Sequence, residues 1–262
     1  MGEKFKKILV IESSKKTKNH KKSAKNIKKI LKDLNINHSW IKYQSLKKEN
    51  LKHKDLIITL GGDGIFIGVS HFLRNTPILG LNSDPLTSEG ALKEISALDN
   101  KNIIKILNGN YKIKQKTRAR IILNNKFLKE LAINEVYVGT KTQAHASRYV
   151  LKFNKKEEEQ RSSGIIISTG TGSTAWFKST GGKKFKQSKK ELRFIVREQF
   201  KGKLFKGKIT SGKITKTKTI EIYSKQNTDG IIIIDSNIFY DFNKKDRVKI
   251  QISKQNLIVI TK

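Results

Sequence analysis

Short apolar runs alternate with amphipathic stretches over the first hundred residues. Residues 7–11, 39–43, 55–60 and 77–80 predict strands, and two of these runs end abruptly in polar or glycine-rich turns. Between the first two, residues 23–34 carry apolar side chains with a 3.6-residue period, which predicts a helix. Strands that alternate with helices are typical of βαβ units and a parallel sheet. The pattern therefore predicts an α/β domain at the start of the chain.

From about Tyr111 the chain changes to alternating runs separated by turn residues, with one short helix among them. This pattern is typical of an antiparallel β-sandwich. The predicted strands lie at residues 119–123, 132–138, 149–153, 164–168, 219–223, 231–235 and 247–252. We place the boundary near Asn108–Asn110, which gives an α/β domain over 1–109 and an all-β sandwich domain over 110–262.

The charge balance is extreme, with 56 Lys and Arg against 22 Asp and Glu and a formal net charge of +34. Such a balance suggests nucleic acid or another polyanion as a partner. However, 48 of the 56 are lysines spread along the chain, and isoleucine and asparagine are also frequent. A general compositional bias is therefore the simpler interpretation, and polyanion attraction remains the alternative. We interpret the lysine-rich stretches 14–22, 183–190 and 201–218 as solvated loops or faces.

Cysteine is absent, which excludes disulfides, thiol nucleophiles and Cys-containing metal sites. The five histidines include no i, i+4 pair, so a bound metal would have oxygen ligands. The longest apolar run is far too short to cross a bilayer, and no export signal precedes the first strand. We therefore expect a cytoplasmic protein.

The sequence Gly61-Gly62-Asp63-Gly64 follows the predicted strand at 55–60. Ligands of parallel α/β sheets bind at the carboxyl ends of the strands. Glycines there let backbone N–H groups approach phosphate oxygens, and the next helix contributes its positive N-terminal end. The motif thus favours a phosphate-binding loop that presents Asp63. The alternative is a strand-ending turn in which Asp63 is a helix N-cap.

Asn134 and Glu135 interrupt the apolar run 132–138, an awkward position for two polar side chains. A carboxylate at this point can accept hydrogen bonds from both hydroxyls of a ribose diol, with the amide assisting. The alternative is a polar pair on an edge strand.

Residues 169–176, Thr-Gly-Thr-Gly-Ser-Thr-Ala-Trp, follow the predicted strand at 164–168 and open a short helix. Their hydroxyls, flexible backbone and helix-end N–H groups can bind phosphate or read a purine edge. The alternative is a capped helix after a tight turn.

These three motifs, in this order, resemble those of the NAD kinase family, whose pattern is GGDGT, then NE or ND, then TPTGSTAY. The resemblance extends from the first strand to the last. Residues 80–85, Ser88-Glu89-Gly90, Arg161–Gly164, Trp176 and Val196-Arg197-Glu198 are most similar to the mitochondrial-type branch. The resemblance implies the NAD kinase-like two-domain fold, with a Rossmann-like parallel sheet before an all-β sandwich.

The implied reaction transfers the γ-phosphoryl group of a nucleoside triphosphate to the adenosine ribose 2′-hydroxyl of NAD, giving NADP. Mg²⁺ is expected with the triphosphate. By resemblance Asp63 orients or deprotonates the attacking hydroxyl, with Gly61, Gly62 and Gly64 near the dinucleotide phosphates, and Asn134 and Glu135 hold the nicotinamide ribose. The remaining implied nucleotide-binding residues are Arg161, Thr169, Thr171, Gly172, Ser173, Thr174, Ala175, Trp176 and Ser179.

The chain departs from the family pattern at several positions, among them Ile65 in place of Thr, Gly170 in place of Pro, and Ser163 where many members have Asp. Ser163 lacks the carboxylate that the resemblance implies for a contact to the nicotinamide amide. The branch resemblance implies a homodimer, with NAD and ATP as substrates and no membrane or nucleic-acid partner. ATP, another triphosphate or polyphosphate as donor, and NAD or NADH as acceptor, remain open. The alternatives are a lipid-type GGDG kinase and an inactive polyanion-binding protein.

Overall fold

A computed structural model of the chain describes residues 4–87, 92, 95–142, 144–203 and 205–262. The chain divides into two compact units, one of residues 1–115 and 257–262 and the other of residues 116–256. These units differ from the predicted domains because strands near residue 115 and at the end of the chain belong to the first sheet. The Ser88-Glu89-Gly90 motif lies outside the described residues.

The first unit contains a seven-stranded sheet, sheet A, in the order β2-β1-β3-β4-β19-β6, with β5 paired to β4. Its strands are β1 Lys7–Glu12, β2 Asn37–Lys42, β3 Leu56–Gly61, β4 Ile78–Asn82, β5 Ile95–Ser96, β6 Lys112–Lys116 and β19 Leu257–Thr261. The pairs β1–β2, β1–β3, β3–β4, β4–β5 and β4–β19 are parallel. The predicted α/β class is therefore confirmed.

Three helices accompany this sheet: α1 Lys18–Asp33, α2 Asp63–Ser70 and α3 Asn100–Leu107. Single 3₁₀ turns lie at Tyr43–Ser45 and Lys48–Leu51. Helix α1 begins five residues before the predicted start because the Thr17 hydroxyl caps it, accepting a hydrogen bond from the His20 N–H at 3.2 Å. Apolar side chains of β1, β3, β4, α1 and α3 form the core of this unit.

The second unit contains two six-stranded antiparallel sheets, which confirms the predicted all-β class. Sheet B has the order β11-β10-β15-β18-β7-β8, and sheet C has the order β14-β13-β12-β9-β16-β17. The strands are β7 Ala119–Leu123, β8 Lys126–Ala132, β9 Glu135–Thr140, β10 Ser147–Phe153, β11 Lys156–Ser162, β12 Ile165–Ser168, β13 Leu192–Val196, β14 Ser211–Ile214, β15 Ile220–Ser224, β16 Gly230–Ile234, β17 Ile238–Asp241 and β18 Arg247–Ile252. Buried apolar side chains from both sheets form one core.

The single strand predicted at 132–138 is wrong. Strand β8 ends at Ala132 in sheet B, and β9 begins at Glu135 in sheet C, so the chain changes sheets at Ile133 and Asn134. Apolar residues lie on both sides of this change of sheet because both strands contribute to the core between the sheets.

The short helix predicted after residue 168 consists of a 3₁₀ turn at Gly172–Thr174 and α4 Trp176–Ser179. Phe177 and Phe185 pack with Tyr137 and Ile166 in a smaller apolar cluster of sheet C. Within the part of the chain that the structure describes, no helix has the length and apolar character needed to span a membrane.

Candidate active site

The GGDG segment lies where β3 meets α2 in the first unit. Strand β3 ends at Gly61, Gly62 is the helix N-cap, and Asp63 is the first helical residue. The alternative that Asp63 is itself the N-cap is therefore wrong. A carboxylate in the first turn still interacts favourably with the helix dipole. The segment has the predicted location at the carboxyl end of a parallel strand.

The glycines of this segment differ in what surrounds them. A Cβ at Gly61 would lie 2.8 Å from the Ser13 Cβ, so glycine lets the end of β1 approach. A Cβ at Gly64 would meet no atom of the described chain within 4 Å. The protein's own packing therefore does not require glycine at position 64, whereas close approach of a ligand would.

Asp63 is half-buried, and its Oδ1 accepts a hydrogen bond from the backbone N–H of Leu92 at 3.2 Å. Nearby, the Ser13 hydroxyl is buried and has no hydrogen-bond partner among the described residues. The first unit therefore combines a carboxylate, an open glycine and a buried hydroxyl at the carboxyl ends of its strands.

In the second unit, the sheet change presents Asn134 and Glu135. The Asn134 carbonyl accepts a hydrogen bond from the Thr169 N–H at 2.8 Å, and the Thr169 hydroxyl donates to the carbonyl of Ile133. A Cβ at Gly172 would lie 2.3 Å from the Asn134 carbonyl oxygen and 2.7 Å from its Cα. The structure thus brings the second and third motifs into backbone contact, and Gly172 is required for it.

Glu135 is only 5% exposed, and its Oε2 has no hydrogen-bond partner among the described residues. Burial, and secondly the negative charge of Asp235, raise the pKa of Glu135 to about 8. A buried polar atom without a partner costs free energy in the folded protein. A ligand that donates a hydrogen bond to this carboxyl group would relieve that cost.

The loop after β12 is organised by its own hydroxyl groups. The Thr169 Oγ1 accepts hydrogen bonds from the N–H groups of Thr171 at 3.1 Å and Gly172 at 3.2 Å. Ser173 Oγ donates to the carbonyl of Gly170 at 2.8 Å, which makes it a support of the loop. The Thr171 hydroxyl is buried and has no partner among the described residues.

Further along this loop, which we call the 169–176 loop, Thr174 and Ala175 are exposed and Trp176 is half-buried; Ser179, at the end of α4, is also exposed. The Trp176 ring lies 5.3 Å from that of Tyr137, and the Arg197 guanidinium lies 5.3 Å from the Trp176 centroid. The segment therefore offers exposed backbone and hydroxyls next to an aromatic platform, a combination suited to a nucleoside.

Arg161 lies on β11 in sheet B, whereas the other candidate residues of this unit lie on or next to strands of sheet C. Its guanidinium stacks 4.5 Å from the Phe205 centroid, and its Nε is buried without a partner among the described residues. Ser163, where many family members have Asp, follows β11, and its carbonyl accepts a hydrogen bond from the Tyr137 hydroxyl at 3.1 Å.

Sequence reasoning missed Asp235. Its carboxylate accepts hydrogen bonds from the N–H groups of Ile133, Asn134 and Glu135 at 2.8, 2.8 and 2.9 Å. The available signal was Asp235-Ser236-Asn237 between two apolar runs, which is typical of a hairpin turn rather than of a site.

Comparison with known proteins gives a consistent result. Residues 1–115 match a model of the ATP-NAD kinase N-terminal domain, and residues 133–261 match one of the C-terminal domain. A probable NADH kinase of Oryza sativa is 32% identical over 203 residues, covering 68% of this chain and 62% of that protein. NAD kinases of Chlorobium phaeobacteroides and Legionella pneumophila are 35% and 32% identical over 134 and 150 residues. Those two matches cover 50% and 54% of this chain, and 46% and 50% of the relatives.

The chain spans about half to three-fifths of the length of these curated relatives. Among solved structures, an Archaeoglobus fulgidus NAD kinase in complex with ATP has a TM-score of 0.77 and 22% identity, covering 97% of this chain and 93% of that one. A yeast NADH kinase complexed with NADH has a TM-score of 0.80 and 14% identity, covering 99% of this chain and 84% of that one. Both show the same fold. Neither the lipid-kinase nor the polyanion-binding alternative is supported by these matches.

Proposed function

Because its two parts match models of the two domains of one family, the chain belongs to the ATP-NAD kinase family, and we propose that it phosphorylates NAD to NADP. The observation that carries this proposal is the buried carboxyl group of Glu135, whose Oε2 has no hydrogen-bond partner among the described residues. Glu135 lies in the bend formed by residues 133–135, which is hydrogen-bonded to the 169–176 loop. An acceptor in that environment suits a ribose diol, since two vicinal hydroxyls supply donors that the described residues do not provide there.

In this proposal Asp63 is the catalytic carboxylate. The 2′-hydroxyl oxygen of the adenosine ribose forms a bond to the γ-phosphorus of ATP, and the bond from that phosphorus to the β,γ-bridging oxygen breaks. The hydroxyl proton passes to Asp63, and ADP leaves with the bridging oxygen. Asp63 is half-buried and is the first residue of α2, where the helix dipole interacts favourably with a negative charge.

Within the second unit, we assign Asn134 and Glu135 to a ribose diol of the dinucleotide. The 169–176 loop binds nucleotide through Thr171, Gly172, Thr174 and Ala175, with Thr169 and Ser173 as its supports. Trp176 and Ser179 belong to the same nucleotide-binding surface, and Arg161 supplies a positive charge from sheet B. In the first unit, the backbone N–H groups of Gly61, Gly62 and Gly64 approach phosphate oxygens.

Mg²⁺ belongs to the proposal as a companion of the triphosphate. The described residues include no cluster of three or more metal-ligating side chains. Mg²⁺ in phosphoryl-transfer sites is held by substrate phosphates and one or two carboxylates, so a single carboxylate such as Asp63 would suffice as the protein's contribution. When bound, the ion supplies neutralisation of the charge on the phosphate oxygens.

NADH is a second acceptor to test, because the rice relative is named as a probable NADH kinase and the yeast structure holds NADH. ATP is the donor we propose, and polyphosphate is the alternative. A homodimer in the cytoplasm completes the proposal, based on family resemblance alone. Light scattering after gel filtration would measure the assembly.

The test is NADP formation from NAD, ATP and Mg²⁺ by wild type, Asp63→Asn and a matched control, Asp99→Asn. Asp99 is the N-cap of α3 in the same unit and accepts a hydrogen bond from the Asn102 N–H at 3.2 Å. Removal of a general base lowers kcat by about 10²–10⁴-fold, and Asp63→Asn should show a loss of that order. Asp99→Asn should stay within about threefold. A wild type that is inactive with both acceptors and both donors would contradict the proposal.

A further inference from the structure

A β-hairpin outside the three sequence motifs reaches the dinucleotide-binding bend. Strands β16 and β17 are joined by a tight turn in which Asp235 and Ser236 have positive φ angles of 48° and 61°. Two consecutive left-handed residues are the geometry of a type I′ turn, which aspartate tolerates better than most residues. Asp235 is nonetheless only 3% exposed, so its side chain points into the protein instead of into solvent.

The Asp235 carboxylate binds the bend at three successive residues. Oδ2 accepts from the Ile133 N–H at 2.8 Å, while Oδ1 accepts from the N–H groups of Asn134 at 2.8 Å and Glu135 at 2.9 Å. The Asp235 N–H donates to the Glu135 carbonyl at 3.0 Å. Ile133 and Asn134 lie between strands of two different sheets, so the strand ladders do not supply these acceptors. A carboxylate has the lone pairs to accept all three bonds.

We propose that Asp235 is a positioning residue, which holds Asn134 and Glu135 in the conformation that binds the dinucleotide. The inference rests on the proposed function, because it concerns the ribose-binding bend of that same site. Thr169 and Gly172 fix the Asn134 backbone from the 169–176 loop, and Asp235 fixes it from the hairpin. Asn134 and Glu135 are therefore held between two segments that are distant in sequence.

The charge of Asp235 has a second consequence, for the proton on Glu135. On β12, the residue paired with Glu135 is Ser168, which does not titrate in this range. On β13, the residue paired with Ser168 is Arg193, whose guanidinium donates a hydrogen bond to Glu191 at 2.7 Å. From the end of β16, Asp235 is the charged group next to Glu135, and its negative charge adds to burial in raising the pKa of Glu135. Removing that charge should move ionisation of Glu135 to lower pH.

The test compares Asp235→Asn with Asp229→Asn. Asp229 precedes the other end of β16, also has positive φ (69°), and accepts hydrogen bonds from Thr140 Oγ1 at 2.8 Å and the Thr142 N–H at 3.2 Å. Both substitutions remove one carboxylate charge from a turn next to the same strand. Only Asp235→Asn affects the bend. There the side-chain NH₂ group takes the place of the oxygen that accepts from the Ile133 N–H, so this N–H loses its acceptor.

For Asp235→Asn we expect KM for NAD to rise about 10-fold or more, on the scale of one lost charge-assisted hydrogen bond. KM for ATP should stay within about twofold. The midpoint in the pH dependence of KM for NAD should also move to lower pH, which loss of stability alone would not cause. Asp229→Asn should keep the wild-type KM and midpoint. A wild-type KM and midpoint in Asp235→Asn, or equal changes in both variants, would overturn the inference.

Two further measurements test the positioning role if Asp235→Asn does not fold or if the wild type is inactive. If Asp235→Asn does not fold, Asp235→Glu retains the charge while displacing the bend, and it should raise KM for NAD without moving the pH midpoint. An unchanged KM in that variant would refute the positioning role. If wild type forms no NADP, the proposed function fails separately. Amide hydrogen exchange of the peptide containing residues 133–135 then decides the matter: exchange that is not faster in Asp235→Asn than in Asp229→Asn overturns the inference.

Discussion

Replacing Glu135 with Gln should stabilise the unliganded protein, increasingly so as the pH rises. The pKa of Glu135 is raised from 4.5 to about 8 by burial and by the charge of Asp235. The folded state therefore holds a proton that the unfolded chain releases. The contribution of such a group to the free energy of unfolding is fully present below pH 4.5, and it is lost as the pH rises through about 8. A glutamine side chain at this position has no proton to lose, so its contribution does not change with pH.

The magnitude follows from proton linkage. Each pH unit between the two pKa values changes the free energy of unfolding by about 1.4 kcal/mol for a single proton. Over the whole window from 4.5 to about 8, wild type loses about 5 kcal/mol that Glu135→Gln keeps. Between pH 5.5 and 7.5 the difference between the variants should grow by about 2.7 kcal/mol. This range is experimentally convenient, and other titrating groups contribute equally to both proteins.

Urea unfolding followed by tryptophan fluorescence measures this difference. The protein has two tryptophans, and Trp40 lies in the first unit, so a Trp40→Phe background leaves Trp176 to report on the second unit. A difference between Glu135→Gln and the parent protein that stays constant within about 0.5 kcal/mol from pH 5.5 to 7.5 would refute the reasoning.

Glu191→Gln is the matched control, because Glu191 is also buried in the second unit but bonds to Arg193 at 2.7 Å and Lys213 at 3.3 Å. Although burial acts to raise its pKa, hydrogen bonds from Arg193 and Lys213 lower it overall. Its carboxylate form therefore favours folding above the ordinary pKa, and this contribution is lost as the pH falls. Glu191→Gln should thus destabilise the protein near neutral pH, the opposite sign to Glu135→Gln.

Two glycine substitutions test the geometry of the loops. Gly172→Ala places a Cβ 2.3 Å from the Asn134 carbonyl oxygen, so the bend or the loop must move by about 1 Å, which should lower kcat/KM by about 10²-fold and stability by about 1–3 kcal/mol. Steady-state kinetics and urea unfolding measure both, and wild-type kinetics would contradict the contact. Gly64→Ala meets no described atom within 4 Å and lies in α2, so stability should rise by up to about 1 kcal/mol. KM for ATP or NAD should rise in the same variant, and unchanged values of both would show that no ligand approaches Gly64.

The class of each unit could be predicted because the periodicity of the chain reflects burial directly. Strand β3 is buried along its whole length, and its apolar run was recognised within one residue at each end. The start of α1 was missed because Thr17 lies among lysines, where the apolar pattern does not reach, and only its capping bond reveals the helix end. Amino-acid composition alone predicts neither the extent of β3 nor the start of α1.

The candidate residues were found because glycine, carboxylate and hydroxyl residues are unusual where strands end. What the sequence did not reveal is how they are held. The apolar run at 132–138 looks like one strand because both sheets of the second unit share a core, so a change of sheet leaves no polar signal apart from Asn134 and Glu135. Asp235 resembles an ordinary turn residue, since its partners lie about a hundred positions earlier in the chain.

Glu135 connects these observations, because its buried Oε2 has no partner among the described residues, and the proposed ribose ligand would supply one. The Asp235 carboxylate accepts a hydrogen bond from the Glu135 N–H and so fixes the residue at the bend, but the same carboxylate adds a negative charge next to a buried acid. Thr171 adds a second buried polar atom that lacks a partner among the described residues. A fold selected for stability alone would replace such groups with apolar side chains. Their presence at the bend and in the 169–176 loop is explained if a hydroxyl-bearing ligand supplies the missing hydrogen bonds, because binding would then offset the free-energy cost of burying these groups.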